Sequence, residues 1–430
     1  MKSNINIQVI NRNPAMKRLR GIFATRYKAY FSKKLNLYSS LNKIEIKSMR
    51  KSIVLLISLF IISNCYCQKL SEMQKIIHEI DSIRIRFDIP AVAFGVISGD
   101  SAVIQGAIGV REINTNDSVT INDKFHIGSI TKAITSFIAG KLVDNGLISW
   151  NTKFFDLFPE LKATSKPGYY EIKLKDLLSH RAFINPFKGG SQWNILEQYY
   201  KIDTNKNRSN YNFSKFLLTL EPAKYDSAEI YKYSNAGYLL ASLMLEKVSN
   251  KTYEQLIEKI NQDLGVDFQI GWPRQLNSNQ PVGYISPIEL GLSKESDLIE
   301  LPDSILNDDM FKDFQYYCRP AGDFCVSITD YLKFIQLNLA GLNGQNNYLK
   351  SETYNFIFNG EKDYAMGWGN WILKGNHYYG HSGSLVTFYT YTEIIKESKV
   401  AIVIMMNAGN GKSKGGLFTI KEYLENKYAL

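Results

Sequence analysis

Ser129 and Lys132 have the residue types and the spacing that nucleophilic catalysis needs. The stretch around them predicts a helix, because apolar residues recur three and four positions apart, at Ile130, Ala133, Ile134, Phe137, Ile138, Leu142 and Val143. Residues three apart on a helix lie one turn above each other, so the lysine amine can reach the serine hydroxyl. A serine attacks poorly unless a base takes its proton. Burial and the positive helix N-terminus lower a lysine pKa towards the neutral form, so we predict Ser129 as nucleophile and Lys132 as its base.

The same spacing occurs twice more, so the pair alone is weak support for catalysis. Ser40 with Lys43 and Ser48 with Lys51 share it. Ser and Lys are common residues, and a chain of this size contains the pattern by chance about once or twice. A catalytic interpretation therefore needs further residues from elsewhere in the chain.

The 430 residues carry a formal net charge of +10, but this charge is unevenly distributed. Residues 1–67, here called the leader, hold 13 of the 51 Lys and Arg side chains and one of the 41 Asp and Glu side chains. The remaining chain has 38 basic and 40 acidic side chains, a net charge of −2. Since nucleic-acid binding leaves a basic footprint, we predict no nucleic-acid partner.

The leader has the pattern of an upstream extension followed by a signal peptide at 49–67. Positions 49–51 include two basic residues, residues 52–63 are apolar, and Cys65 and Cys67 occupy the small-residue positions before a cleavage site. The apolar run is shorter than the roughly 20 residues of a membrane span. We therefore predict a secreted or periplasmic protein. The alternatives are a signal anchor with a basic cytoplasmic tail and a lipoprotein cleaved before Cys65.

The remaining cysteines, Cys318 and Cys325, leave two alternatives open. In an oxidising compartment they could form a disulfide, and otherwise they are two buried thiols. No His- or Cys-rich motif with metal-ligand spacing occurs. We predict no metal and no cofactor.

Apolar periodicity places helices and strands along the body, residues 68–430. Helices are expected at 73–86, 129–143, 174–178, 213–220, 236–248, 329–339 and 417–428, strands at 91–97, 102–108, 364–374, 385–392 and 400–406, and a long polar loop at 275–317. The first two strands flank a glycine turn and predict a hairpin, and because both are apolar on both faces, helices should cover the sheet.

This order predicts a mixed α/β (α+β) fold with an antiparallel sheet built from both chain ends, flanked by helices, with an inserted mainly helical lobe. The α/β lobe would comprise approximately 68–125 and 362–430, and the helical lobe approximately 126–361. Clefts form where lobes meet, so we expect the site there.

Two stretches later in the chain form an ordered set of three motifs with Ser129 and Lys132. Tyr233-Ser234-Asn235 precedes an apolar helical run, and His381-Ser382-Gly383 precedes a predicted strand. With Ser129 and Lys132, this order resembles the class C β-lactamase-related serine hydrolases and penicillin-binding proteins, whose elements are S-x-x-K, Y-x-N and a K-T-G or H-x-G strand. The match extends over roughly 71–430. The resemblance implies a β-lactamase/transpeptidase-like fold.

The resemblance also implies a role for each residue. Ser129 would form an acyl-enzyme, with Lys132 and Tyr233 as acid and base, and Lys132 would lower the tyrosine pKa from its usual ~10. Asn235 would orient the lysine and hold a substrate carbonyl. The backbone N–H groups of Ser129 and Ser384 would form the oxyanion hole, and the strand residues His381, Ser382 and Gly383 would contact substrate.

Simpler structural roles are available for several of these residues. Tyr233 could be a packing residue, Asn235 could cap the following helix, and His126 and His180 are expected to be structural hydrogen-bonding residues.

The sequence differs from the family pattern at two places that affect the expected substrate. His381 stands where many relatives carry a permanently charged lysine, and a histidine is mostly neutral at pH 7. Arg181-Ala182-Phe183 follows His180 where relatives often have T-S-G. We therefore predict an esterase, D-aminopeptidase or carboxypeptidase that acts on a small-molecule or peptide ester, amide or D-amino-acid peptide, with weak β-lactamase activity at most. The alternative is a non-hydrolytic penicillin- or peptidoglycan-binding sensor or scaffold.

Overall fold

The computed structural model describes residues 72–188, 193–203, 208–224, 230–294 and 297–429. The predicted leader, with its signal peptide, Cys65 and Cys67, lies outside these ranges. Among the described residues, none of the helices has both the length and the apolar character needed to cross a membrane.

A six-stranded antiparallel sheet, in the order β2-β1-β11-β10-β9-β8, is the centre of the fold. Its strands are β1 (Ala91–Ser98), β2 (Ser101–Gly109), β8 (Gly369–Leu373), β9 (Asn376–Leu385), β10 (Phe388–Ile395) and β11 (Val400–Met406). The hairpin near the start of the body pairs with the last strand, with Gly95 opposite Val403. The predicted antiparallel sheet built from both chain ends is therefore confirmed.

The elements between the two halves of the sheet are mainly helical. Short strands are β3 (Lys124–His126), β4 (Gln269–Ile270), β5 (Tyr284–Ile285), β6 (Ile299–Glu300) and β7 (Phe324–Ser327). The helices are α1 (72–86), α2 (Thr131–Asp144), α3 (Phe154–Leu157), α4 (Pro159–Lys162), α5 (Leu174–Leu178), α6 (Trp193–Ile202), α7 (Asn210–Thr219), α8 (Asn235–Ser249), α9 (Tyr253–Leu264), α10 (Pro273–Leu276), α11 (Asp303–Leu306), α12 (Asp309–Gly322), α13 (Ile328–Leu342), α14 (Ser351–Asn359) and α15 (Gly411–Tyr428).

Helices cover both faces of the sheet, as the apolar strands predict. Residues alternate between the two faces along a strand, and Ala93 and Val403 belong to the large core that also contains Leu332 of α13. Their neighbours Phe94 and Ile404 are equally buried on the other face, and α15 packs against β1 and β11. Because neither face of the central strands meets water, the strands are continuous apolar runs.

Three expectations about individual elements were wrong. Residues 380–384 belong to strand β9 itself and do not merely precede a strand. The expected loop at 275–317 contains most of α12. Ser129 does not begin an α-helix, because Gly128–Ile130 forms a 3-10 turn before α2.

Strand β9 lies directly on this 3-10 turn because both carry glycine at the point of contact. A Cβ atom at Gly383 would overlap the carbonyl oxygen of Ile127, and one at Gly128 would overlap the backbone nitrogen of Ser384. Gly128 also has a positive φ of 48°, which glycine adopts at little cost. The close approach brings the backbone of Ser384 to the turn that carries Ser129.

We predict that Gly383→Ala lowers the free energy of unfolding by about 1–3 kcal/mol, because the added methyl group must push β9 away from the turn. Urea denaturation followed by fluorescence measures this change. Ser382→Ala is the matched control on the same strand, since the Ser382 side chain is exposed. Equal stability of the two variants would contradict the close packing.

Candidate active site

The turn that carries Ser129 is held by hydrogen bonds on both sides. The Gly128 N–H donates to Nδ1 of His126 at 3.1 Å, and the Thr131 hydroxyl donates to the Gly128 carbonyl at 2.7 Å. With Nδ1 accepting, the other ring nitrogen of His126 carries its proton towards Asp323, at 3.4 Å. His126 is thus a hydrogen-bonding residue that shapes the turn, as predicted, and Ser129 remains half-buried rather than enclosed.

Lys132 is completely buried, and its amine has three polar neighbours. Nζ lies 3.2 Å from Oγ of Ser129, 2.8 Å from Oδ1 of Asn235 and 2.7 Å from the Ala321 carbonyl. Burial lowers its pKa from the usual 10.5 to about 7, and the charge of Lys188 acts in the same direction. A neutral amine has two N–H bonds and one lone pair. With the two N–H bonds given to Asn235 and Ala321, the lone pair remains for the hydroxyl proton of Ser129.

The Ala321 carbonyl is available because it lies in the last turn of α12. The last four carbonyls of a helix have no partner within the helix. Lys132 donates to the Ala321 carbonyl, and Thr135, one turn further along α2, donates to the Pro320 carbonyl at 2.6 Å. The end of α12 therefore provides the lysine amine with a second acceptor besides Asn235.

Tyr233 lies against the same pair. Its ring centroid is 4.7 Å from the Lys132 amine, and its hydroxyl lies near the Ser129 side chain, which acts to lower the tyrosine pKa. Burial raises the pKa of Tyr233 well above 10, and the contact with Ser129 offsets this only in part. The expectation that Lys132 lowers the tyrosine pKa was wrong, because burial of Tyr233 disfavours the phenolate more than its neighbours stabilise it. Tyr233 is a neutral phenol at pH 7.

Asn235 is the first residue of α8, but it does not cap that helix. The cap is Ser234, whose hydroxyl accepts from the Gly237 N–H at 3.2 Å. Both polar atoms of the Asn235 side chain can therefore bond to other residues. Oδ1 accepts from Lys132, and Nδ2 donates to the Phe187 carbonyl at 3.1 Å. This fixes the orientation of the amide, because its oxygen must face the lysine.

His381 is buried and neutral. Burial, with Lys132 nearby, lowers its pKa to about 3. Nδ1–H donates to the Ser382 carbonyl at 2.6 Å, so Nε2 accepts the Tyr364 hydroxyl proton at 2.9 Å. Both ring nitrogens are therefore occupied, and His381 carries no charge at neutral pH. Ser382 and Ser384 alternate with it along β9 and are exposed.

Tyr364 and His180 complete the surroundings of Tyr233, and sequence reasoning gave neither a site role. The His180 ring lies 4.2 Å from the ring of Tyr233 and 4.6 Å from that of Tyr364, centroid to centroid. Nδ1 of His180 accepts the Ser234 N–H at 3.1 Å, and burial holds the pKa of His180 well below its usual value. Neither residue belongs to the three motifs at 129–132, 233–235 and 381–383, so those motifs could not have identified them.

Arg181 explains one of the departures from the family pattern. Its guanidinium donates to the carbonyls of Tyr364 at 2.7 Å and Lys362 at 2.6 Å, and it pairs with Glu361 at 3.2 Å. It thus attaches the segment that carries Tyr364 to the segment that carries His180. A small residue at this position could not make these contacts.

Cys318 and Cys325 are buried free thiols. Burial raises the pKa of both, that of Cys325 to about 12, so neither is a thiolate at neutral pH. Within the described ranges, His, Cys, Asp and Glu side chains form no group of three that could hold a metal ion.

The chain as a whole is similar to known proteins. A family model described as Beta-lactamase matches residues 76–420. An unguisins hydrolase of Aspergillus violaceofuscus is 22% identical over 379 residues, which are 80% of this chain but 62% of the fungal protein. Penicillin-binding protein 4 of Amycolatopsis lactamdurans is 21% identical over 352 residues, 76% of this chain and 84% of that protein. Among solved structures, the D-amino acid amidase from Ochrobactrum anthropi superposes with a TM-score of 0.62 at 17% identity, covering 83% of this chain and 99% of the amidase.

We predict that Tyr364→Phe lowers the free energy of unfolding by about 1–3 kcal/mol, because it leaves the buried Nε2 of His381 without its donor. Urea denaturation measures the loss. Tyr211→Phe is the control, since its hydroxyl bonds to Glu160 at the surface, where water can replace it. If both variants lose the same small amount, the hydrogen bond to His381 does not stabilise the site.

Proposed function

Because the chain belongs to the Beta-lactamase family, as its motifs predicted, we propose that it is a serine hydrolase that forms an acyl-enzyme on Ser129. The observation that carries the proposal is the hydrogen-bond set of Lys132. Its two protein acceptors and its lowered pKa leave the amine lone pair for the Ser129 hydroxyl. A base with a pKa near the working pH is the most effective.

In the first step, Lys132 takes the Ser129 proton while Oγ attacks the substrate carbonyl carbon. The resulting oxyanion would accept hydrogen bonds from the backbone N–H groups of Ser129 and Ser384, each worth about 3 kcal/mol in the transition state. The close approach of Gly128 and Ser384 supports this pairing. The step leaves the net charge unchanged, because the positive charge that forms on Lys132 is matched by the negative charge on the oxyanion.

In the second step, the bond to the leaving group breaks and the leaving group needs a proton. The phenol of Tyr233 donates it, and the protonated Lys132 beside the ring restores the phenol, so the lysine is neutral again. The raised pKa of Tyr233 supports the role of a proton donor over that of a phenolate base. Water then attacks the acyl-enzyme by the reverse of these transfers and releases the acid.

The substrate that fits best is an ester, an amide or a D-amino-acid peptide. A neutral and fully bonded His381 cannot provide the permanent cation with which a lysine would hold a β-lactam carboxylate, so we expect weak β-lactamase activity at most. The amidase and hydrolase names of the relatives agree with this range. Secretion, or a membrane-anchored form, is part of the proposal and depends on the leader pattern alone.

A second candidate is a sensor that becomes acylated without turnover. The name of the Amycolatopsis relative, penicillin-binding protein, supports this second candidate. The two candidates share the first step and differ in the attack of water. Measurements of labelling and of turnover therefore distinguish them.

We predict that Ser129→Ala abolishes labelling by a fluorophosphonate probe and lowers p-nitrophenyl ester turnover at least about 10⁴-fold. Lys132→Met should cause a comparable loss, and Tyr233→Phe a loss of about 10²–10⁴-fold. Mass spectrometry should locate the adduct on Ser129. The control Ser101→Ala removes an exposed hydroxyl in the β1–β2 hairpin and should leave both readouts unchanged.

Wild-type labelling without turnover would favour the sensor. Full activity of the Ser129→Ala variant would overturn both candidates.

A further inference from the structure

Three basic side chains, Lys132, Lys188 and Arg181, lie near the proposed catalytic residues. Burial lowers the pKa of His180, and the nearby Lys132, Lys188 and Arg181 act in the same direction. Burial also lowers the pKa of Lys132, and Lys188 acts in the same direction. Asp323, which directly follows α12, lies 3.4 Å from His126. A site with this balance attracts a substrate that carries negative charge.

Among these basic side chains, Lys188 is the one that is exposed. The backbone that leads to Lys188 is fixed beside the catalytic residues. The three residues before it are bonded to the segment that follows Tyr233. The Ser234 hydroxyl donates to the Asn185 carbonyl at 3.0 Å, the Asn235 N–H donates to the Pro186 carbonyl at 2.8 Å, and the Asn235 amide donates to the Phe187 carbonyl.

These contacts place the Lys188 ammonium 5.4 Å from the centroid of the Tyr233 ring. Lys132 lies 4.7 Å from the centroid of the same ring. The two lysines have different environments, because Lys132 is buried and Lys188 is exposed. The buried amine is poised to act as a base, whereas the exposed Lys188 can be reached by a ligand from solvent.

We propose that Lys188 recognises a carboxylate on the substrate and so makes the enzyme selective for anionic esters or amides. This inference rests on the proposed hydrolase function. It assigns to a loop residue the cation that His381 cannot supply, since both nitrogens of His381 are occupied. The carboxylate would then lie on the Tyr233 side of Ser129 rather than along β9.

The test compares esters that differ only in charge. On the acyl side, the pair is the p-nitrophenyl ester of glutaric acid with its second carboxylate free or methylated. On the leaving-group side, the pair is the butyryl ester of 3-hydroxybenzoate and of its methyl ester. The proteins are wild type, Lys188→Met, which keeps the aliphatic stem, Lys188→Arg, which keeps the charge, and Lys215→Met, an exposed control on α7.

We expect Lys188→Met to lower kcat/KM for the anionic ester of at least one pair about three- to fivefold, which is the effect of losing one exposed charge pair. The neutral ester of that pair should stay within about twofold of wild type. Lys188→Arg and Lys215→Met should behave like wild type. The loss should shrink in about 1 M salt, where charges are screened beyond about 3 Å.

Equal losses for charged and neutral esters would overturn the inference, because Lys188 would then only pack against Tyr233. No loss on either anionic ester would also overturn it, while leaving the hydrolase function intact. If the wild-type protein turns over none of the four esters and Ser129 is not acylated, the hydrolase function itself fails, and the inference fails with it.

Discussion

The burial of one amine is the constraint on which this site depends. Lys132 is surrounded by protein, and its two strong acceptors come from the start of α8 and the end of α12. Water cannot stabilise the ammonium there, so the pKa falls to about 7. A lysine on the surface would be almost fully protonated at this pH and could not accept a proton. The spacing of three residues between Ser129 and Lys132 allows base catalysis only because α8 and α12 enclose the lysine amine.

The neighbouring groups follow from the same low-dielectric environment. Burial keeps Tyr233 protonated and His381 uncharged, so the interior of the site is close to neutral. Each group has a defined donor or acceptor role: His381 accepts from Tyr364, and Asn235 accepts from Lys132. A proton can then pass between serine, lysine and tyrosine without creating a lasting buried charge, which would be costly. The exposed Lys188 lies at the edge of this interior, 5.4 Å from the centroid of the Tyr233 ring.

The sequence contained enough to predict the sheet, its assembly from both chain ends and the family. Strand and helix periodicity is a local property, and the ordered motifs at 129–132, 233–235 and 381–383 are specific together. Strand β9 was missed because glycines, serines and a histidine interrupt its apolar alternation. Gly383 allows the strand to approach the turn at Gly128–Ile130 closely. The direction of the Tyr233 pKa was predicted wrongly because burial depends on distant residues. The roles of Tyr364 and His180 depend likewise on contacts between segments far apart in the chain.

The most direct test of the central claim is the ionisation of Lys132 itself. NMR of protein labelled with ¹³C at the lysine ε-carbons, with the Lys132→Met variant used to assign the signal, follows its protonation against pH. We predict a midpoint near pH 7, well below the other lysines, with the amine neutral above it. A midpoint close to the ordinary lysine value of ~10.4 would contradict the claim that burial makes Lys132 a base.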